Sequence, residues 1–434
     1  MAISLTLPVE QNWSCHNCGG CCKQHGVVIT EAERDRIANQ GWTEADGVPA
    51  EWYVREQPLR GQVWYRMAHR EDGACTFLDD RGLCRIHGKF GEDAKPLACR
   101  IYPYVFHPAG GRMTVSMRFS CPSVVRNLGA STSRNRSEIE SLARSVVPKE
   151  ATRLPPPPLA RNRPLDWDTF HRLNRRIEDE LIDDSQPLTH RLLRLATWTA
   201  VLPMTGWERL DAADQSATLR QLSRAAEFEV NRDAGSWLPP GRTARMHFRL
   251  LAGQYARKDT YASKTAGLRG RLALATSAWA LTRGRGSTGR LRDGFEDVDI
   301  AAIDRCGGSV PAEAEAMIER LLRVKIRGLH YCGRPFYGQS FADGFAALLL
   351  LVPSIHWLAR WTSLSDRVPL SVEHYVTAIT SADHHHGFSP ALAGRSFVKR
   401  VRFLRDSGEL RRLVQTYGSA GSVSPLAAAA SRES

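Results

Sequence analysis

The sequence predicts a mainly α protein, with a small irregular α+β N-terminal domain stabilised by metal and an all-α C-terminal domain. Three observations point there. Eight of the ten cysteines fall before residue 122. Four consecutive prolines, Pro155 to Pro158, make a stiff segment that cannot continue a helix or a sheet interior. Beyond them, apolar residues recur at three- and four-residue steps with charged residues between, the period of an amphipathic helix. A chain of 434 residues is also too long for one ordinary domain.

The N-terminal domain is assigned to residues 1–125. It is rich in turns (Gly19-Gly20, Asp79 to Gly82, Gly110-Gly111), with strand-like pieces at Val27 to Ile29 and Met113 to Met117. A unit this small buries little apolar surface, so metal ligation would supply part of its folding free energy. Residues 126–164 read as an Arg-, Ser- and Pro-rich linker. The helical domain, 165–417, opens with the stripe Trp167, Phe170, Leu173, Ile177 and Leu181. Pro187 breaks that run, and Leu188, Leu192 and Leu195 begin another. Ala312 to Arg327 repeats the pattern with Met317, Ile318, Leu321 and Leu322, and Glu319 supports Arg323 four residues on. Further helices are expected over about 207–232, 241–257, 264–282, 339–361, 371–386 and 390–416. Residues 418–434, rich in Ser, Ala and Gly, read as a flexible tail.

Composition narrows the function. The net charge is +13, and of the 59 basic residues all but eight are arginine. The arginines are spread along the chain without interleaved aromatic residues, which fits solvated faces better than a nucleic-acid surface. The most apolar stretch, Phe345 to Ala359, is too short to span a bilayer and contains Pro353 and His356, so a buried core helix is expected. Met1 to Ser14 lacks the basic start and apolar core of a secretory signal, so the protein reads as cytoplasmic. Disulfides are rare there.

The cysteines carry the chemistry. Cys15-x2-Cys18-x2-Cys21-Cys22 has gaps that let successive thiolates converge, and Gly19 and Gly20 let the backbone wrap closely. Three cysteines at this spacing plus a distant cysteine before proline is also the ligand order of bacterial ferredoxins, and Cys121-Pro122 supplies that ending. Neighbouring side chains diverge, so the pair Cys21-Cys22 argues for a second centre or a bridging thiol. Cys75, Cys84, His87 and Cys99 form a second group, and Cys84-x2-His87 has chelate spacing. One partition that works places Cys15, Cys18, Cys21 and Cys121 on one centre, with Cys22, Cys75, Cys84 and Cys99 (or His87) on the other. The cofactor is zinc or iron, with a 4Fe–4S cluster open.

The order Cys15-x2-Cys18-x2-Cys21-Cys22, Cys75-Thr-Phe-Leu, Cys84-Arg-Ile-His87 and Lys95-Pro96-x2-Cys99-Arg100-x-Tyr102-Pro103 resembles the CxxCxxCC, or YkgJ-type, cysteine-cluster family. The resemblance covers about the first 125 residues and implies a zinc- or iron-chelating domain. Continuing to Ser120-Cys121-Pro122, it is similar to the longer members, the flagellin lysine-N-methylases. They imply an alternative: S-adenosylmethionine-dependent N-methylation of a protein substrate. No motif of the helical half can be matched to them.

Other signals are weighed and set aside. Gly284-x-Gly286-x2-Gly289 fits a dinucleotide fingerprint as a string, but it follows a predicted helix and reads as a flexible loop. The Cys-x3-Cys-x2-Cys order of radical S-adenosylmethionine enzymes stops at Cys18-x3-Cys22. His384 to His386 precede Gly387 at a helix end, where imidazole donors suit exposed carbonyls. Cys306 and Cys332 are expected to be ordinary buried residues. Arg100 and Tyr102 flank Cys99 and either bond to ligand sulfur or pack the domain.

Overall fold

A computed structural model describes residues 4–8, 10–56, 63–257 and 267–418. Among them, strands occur only in the cysteine-rich third: β1 (Ser4–Thr6), β2 (Val28–Ile29), β3 (Tyr53–Glu56), β4 (Trp64–Met67), β5 (Tyr104–Ala109) and β6 (Arg112–Met117). They form two three-stranded sheets, ordered β1-β6-β5 and β2-β4-β3. The β5–β6 hairpin turns through Gly110-Gly111, and Gly110 takes a φ of 68°. A two-residue hairpin turn favours such a positive φ, which glycine adopts without strain. β1 pairs parallel with β6, placing Thr6 beside Thr114 and Ser4 beside Arg112. Short helices fill the rest of this region: α1 (Gly20–Gln24), α2 (Glu31–Ala38), α3 (Arg85–Phe90), α4 (Leu97–Ile101) and α5 (Pro122–Val125). α2 starts at a capping box in which Thr30 accepts from the Glu33 amide and Glu33 accepts from the Thr30 amide.

The apolar residues divide into two cores. The smaller contains Ile29, Ile37, Val48, Trp52, Met67, Cys75, Phe77 and Ile86. The larger runs without a break from Leu5, Tyr104, Met113, Val115 and Phe119 into the helical half. β6 is buried at every position after Arg112 because it is the central strand and a helix covers its face.

After α6 (Arg136–Val146), the prolines Pro155 to Pro158 are non-helical. The Phe341 amide donates to the Pro158 carbonyl at 2.8 Å, and the Ala342 amide to the Leu159 carbonyl at 3.0 Å. The segment thereby satisfies two of the amides that a helix N-terminus leaves unpaired.

The helices that follow are α7 (Trp167–Ile182), α8 (Leu188–Val201), α9 (Ala212–Asp233), α10 (Arg242–Tyr255), α11 (Gly267–Arg283), α12 (Ile300–Arg305), α13 (Ala312–Arg327), α14 (Phe341–Asp366), α15 (Val372–His385), α16 (Arg395–Asp406) and α17 (Glu409–Gly418). The predicted stripe of α7 is its buried face: Phe170, Leu173, Ile177 and Leu181 are all enclosed. Two expectations need correction. The single helix over 390–416 is two, because the chain turns at Gly408 with a φ of 72°. α14, at 26 residues, is long and apolar enough to cross a membrane on length and composition, contrary to the short span expected. Its apolar window is wholly buried inside the protein, as a helix apolar on every side must be in a folded core. Its one carboxylate in the first turn, Asp343, accepts from Arg402 at 2.6 Å and Arg405 at 2.8 Å, which fastens α16 to it. The expected tail from 419 onward lies outside the described residues.

Candidate metal centre

The first cysteine loop is shaped by two left-handed residues, Asn17 at φ 54° and Gly19 at φ 66°. They turn the chain into α1, which carries Cys21 and Cys22. The loop around Gly82 lies directly on it, since a Cβ at Gly82 would stand 3.0 Å from the Asn17 carbonyl. The Cys75 amide donates to the Cys22 carbonyl at 2.8 Å. Bridges between His69 and Cys75 and between Leu78 and Cys84 fold the second cysteine segment over, and Cys84 then caps α3. Cys99 arrives on α4, whose Leu97 amide donates to the Glu33 carboxylate at 2.7 Å.

These contacts gather five thiols: Cys21, Cys22, Cys75, Cys84 and Cys99. The Cys21 and Cys22 sulfurs are 4.0 Å apart. Cys75, Cys84, Cys99 and Cys21 lie within electrostatic reach of one another. The Cys22 thiol and burial push the Cys21 thiol far above its usual range. Burial pushes Cys75 up to about 11 and Cys99 higher still. Lys95 opposes this at Cys21 and Cys99. All ten cysteines are free, so no disulfide accounts for the gathering.

Cys121 is separate but adjacent. It caps α5, and burial raises its thiol against the pull of the Val124 and Ser123 amides. Its cysteine neighbour is Cys18. Cys15 and Cys18 are exposed, and the Cys15 thiol donates to Asn17 at 3.6 Å. The half-buried ring of Tyr102 is within reach of both Cys121 and Cys21. Its hydroxyl meets Ser120 at 3.2 Å, whereas Arg100 pairs with Asp93 at 2.7 Å. His87 is exposed and bonded to Glu92 at 2.6 Å, outside the thiol group. Cys21 is thus within electrostatic reach of Cys75 and Cys99 of the second set.

As placed, no three Cys, His, Asp or Glu side chains among the described residues are drawn together closely enough to hold an ion. The donor chemistry nevertheless fits one. Buried thiols repel one another's ionised forms, so several can become thiolates together only when a cation balances them. Five cysteines with a half-buried lysine beside them are a soft donor set suited to zinc or iron.

Sequence reasoning missed the residues behind this group. His25 stacks on His384 at 5.0 Å and meets the Tyr102 ring at the same distance. Burial and Arg118 hold its imidazole down at about 3. Arg118 lies over Phe388 at 3.5 Å and Asp383 accepts from the Ser120 amide at 2.8 Å. Asp383 also pairs with Lys325 at 2.5 Å, and both are fully buried. The histidine run has a different role from the one expected. Its rings are drawn into the protein, with His386 bonded to the Tyr255 hydroxyl at 2.9 Å and His385 to the Arg257 carbonyl at 2.8 Å. Cys332 is buried as expected, and Cys306 is half-buried. The glycines at 284, 286 and 289 all have left-handed φ in a loop, without the strand that a nucleotide site requires.

Residues 14–122 match the model of the CxxCxxCC family, described as a putative zinc- or iron-chelating domain. An uncharacterized protein of Methanocaldococcus jannaschii is 33% identical over 92 residues, which are 21% of this chain and 29% of that protein. The chain thus spans less than a third of the length of this curated relative. No solved structure matches it.

Proposed function

We propose that residues 14–122 hold zinc or iron through cysteine thiolates and that the helical half seats this centre. The observation that carries the reading is the set of five free thiols, Cys21, Cys22, Cys75, Cys84 and Cys99, gathered beside Lys95. A bound metal supplies the positive charge that lets these thiols ionise. Cys15, Cys18 and Cys121 are a further set close by, and a 4Fe–4S cluster across the two sets is the finer form of the proposal. A reducing, cytoplasmic setting belongs to it, because the thiols must stay unpaired.

Metal and acid-labile sulfide measured on anaerobically purified protein test the reading. Stoichiometric zinc or iron is expected. Cys99→Ser should lose most of that metal, while Cys306→Ser, remote from the group, should keep it. A folded protein without metal, or metal loss in Cys306→Ser alone, would overturn the assignment. The alternative, S-adenosylmethionine-dependent lysine N-methylation, predicts saturable binding of S-adenosylmethionine by the metal-loaded protein in calorimetry. A flat titration removes it.

A further inference from the structure

A cleft of about 270 Å³ opens where the N-terminal sheet meets the helices. It is lined by β1 and β6 through Thr6, Arg112 and Thr114, by α7 through His171, Asn174, Arg175 and Glu178, and by the end of α13 through Arg327. We propose that this cleft binds a small phosphate-bearing metabolite. The proposal is independent of the metal reading.

Two of its three guanidinium groups, on Arg112 and Arg175, are exposed and converge on one cleft. Most buried or half-buried arginines have a carboxylate or carbonyl partner. On α7 itself, Arg172 donates to Gln215 at 2.8 Å, and Arg176 pairs with Glu180 at 2.6 Å. Arg175, on the same helix, has no hydrogen-bond or ion-pair partner among the described residues, and nor does Arg112 across the cleft. Both act electrostatically on His171 between them. Arg327 is paired with Glu178 at 2.5 Å, so the lining carries three guanidinium groups against one carboxylate. Asp168 is within electrostatic reach of His171 but does not line the cleft.

The helix end beside the cleft would ordinarily repel an anion, because the last carbonyls of a helix carry partial negative charge. Here they are covered. Asn174 donates to the Ile326 carbonyl at 3.2 Å, and Thr114 donates to the Gly328 carbonyl at 3.2 Å. What faces the cleft is therefore guanidinium, the planar and permanently charged group that matches phosphate oxygens two at a time. The volume lies just below the range of about 300–1,000 Å³ for drug-sized ligands, which suits a compact anion.

The test is calorimetric titration of the metal-loaded full chain with inorganic pyrophosphate at low and moderate salt. Saturable 1:1 binding is expected. The double variant Arg112→Gln/Arg175→Gln alters two exposed side chains, so it should fold as the wild type does and bind at least about tenfold more weakly, the effect of losing charge-assisted contacts. Arg220→Gln/Arg224→Gln removes the same charge from exposed positions on α9 and should bind as the wild type does. The proposal is overturned by an unsaturable titration, by undiminished affinity in the cleft variant, or by an equal loss in both double variants. The last outcome would mean general attraction to a basic protein.

Discussion

The most consequential single residues are buried charges that no local pattern announces. Lys325 lies on a helix whose apolar stripe is plain, yet its ammonium is fully enclosed and ends on Asp383. Burial lowers its pKa, and the carboxylate holds it up. Removing one member of such a pair leaves the other charged and unpaired, at a cost of about 3–5 kcal/mol. Lys325→Met should lower the urea-unfolding free energy by that order. Lys325→Met/Asp383→Asn should recover part of the loss, because an amide there still accepts the Ser120 N–H. Single variants within about 1 kcal/mol of wild type would show that the pair is solvated. His356 supplies a second test at this scale. It is buried beside Arg360 and bonded to the Tyr375 hydroxyl at 3.0 Å, and burial lowers its pKa to about 3. The unfolded chain, with an ordinary imidazole near 6.5, takes up a proton at higher pH than the folded protein does. The stability that neutral His356 contributes is therefore complete above pH 6.5 and is lost as pH falls towards 3, by about 1.4 kcal/mol per unit. The stability gap between wild type and His356→Gln should narrow by about 2–3 kcal/mol from pH 6.5 to 4.5. A gap that stays constant would contradict the buried neutral state.

At the scale of elements, helix patterns were legible where one face is apolar and one is wet. The α7 stripe and the break at Pro187 stand where periodicity put them. The Gly110-Gly111 turn and the strand after it were legible for the same reason, since turn chemistry is local. The pairing of β1 with β6 was not, because residues over a hundred positions apart leave no local mark of their register. α14 shows the limit from the other side: a helix buried all round has no amphipathic phase to mark its end, which lies at Asp366 rather than near the expected 361. Its position does explain one residue. A Cβ on Gly344 would stand 1.9 Å from the Tyr331 carbonyl, so the helix crosses that backbone without room for a methyl group. Gly344→Ala should destabilise the protein by at least about 1–3 kcal/mol through overpacking, despite alanine's better helix propensity. Thermal unfolding checks this, and an unchanged or raised midpoint would show that α14 can shift aside.

For the whole molecule, the two cores decide how metal and fold are linked. Cysteine spacing marks this region as the one that carries the thiols, but the folding of the loops is not encoded in it: Cys21 comes within electrostatic reach of Cys75 and Cys99, and His87 turns to Glu92. Left-handed backbone at Asn17 and Gly19 turns the first loop into α1, and cysteine spacing alone does not encode that turn. The smaller core has eight buried apolar residues, one of them Cys75. So little buried surface depends on its ligands for stability. The sheet formed by β1, β5 and β6 shares the larger core with the helices and has no such dependence. Chelation under reducing conditions should therefore open residues 22–100 to protease. It should leave a resistant product that starts near β5 and includes α7 to α17, with little change in helical circular dichroism. If chelation instead melts both cores together, the packing of His25 on His384 and Tyr102 couples them more strongly than the division of apolar contacts implies. If it leaves residues 22–100 resistant, metal is not what holds the smaller core.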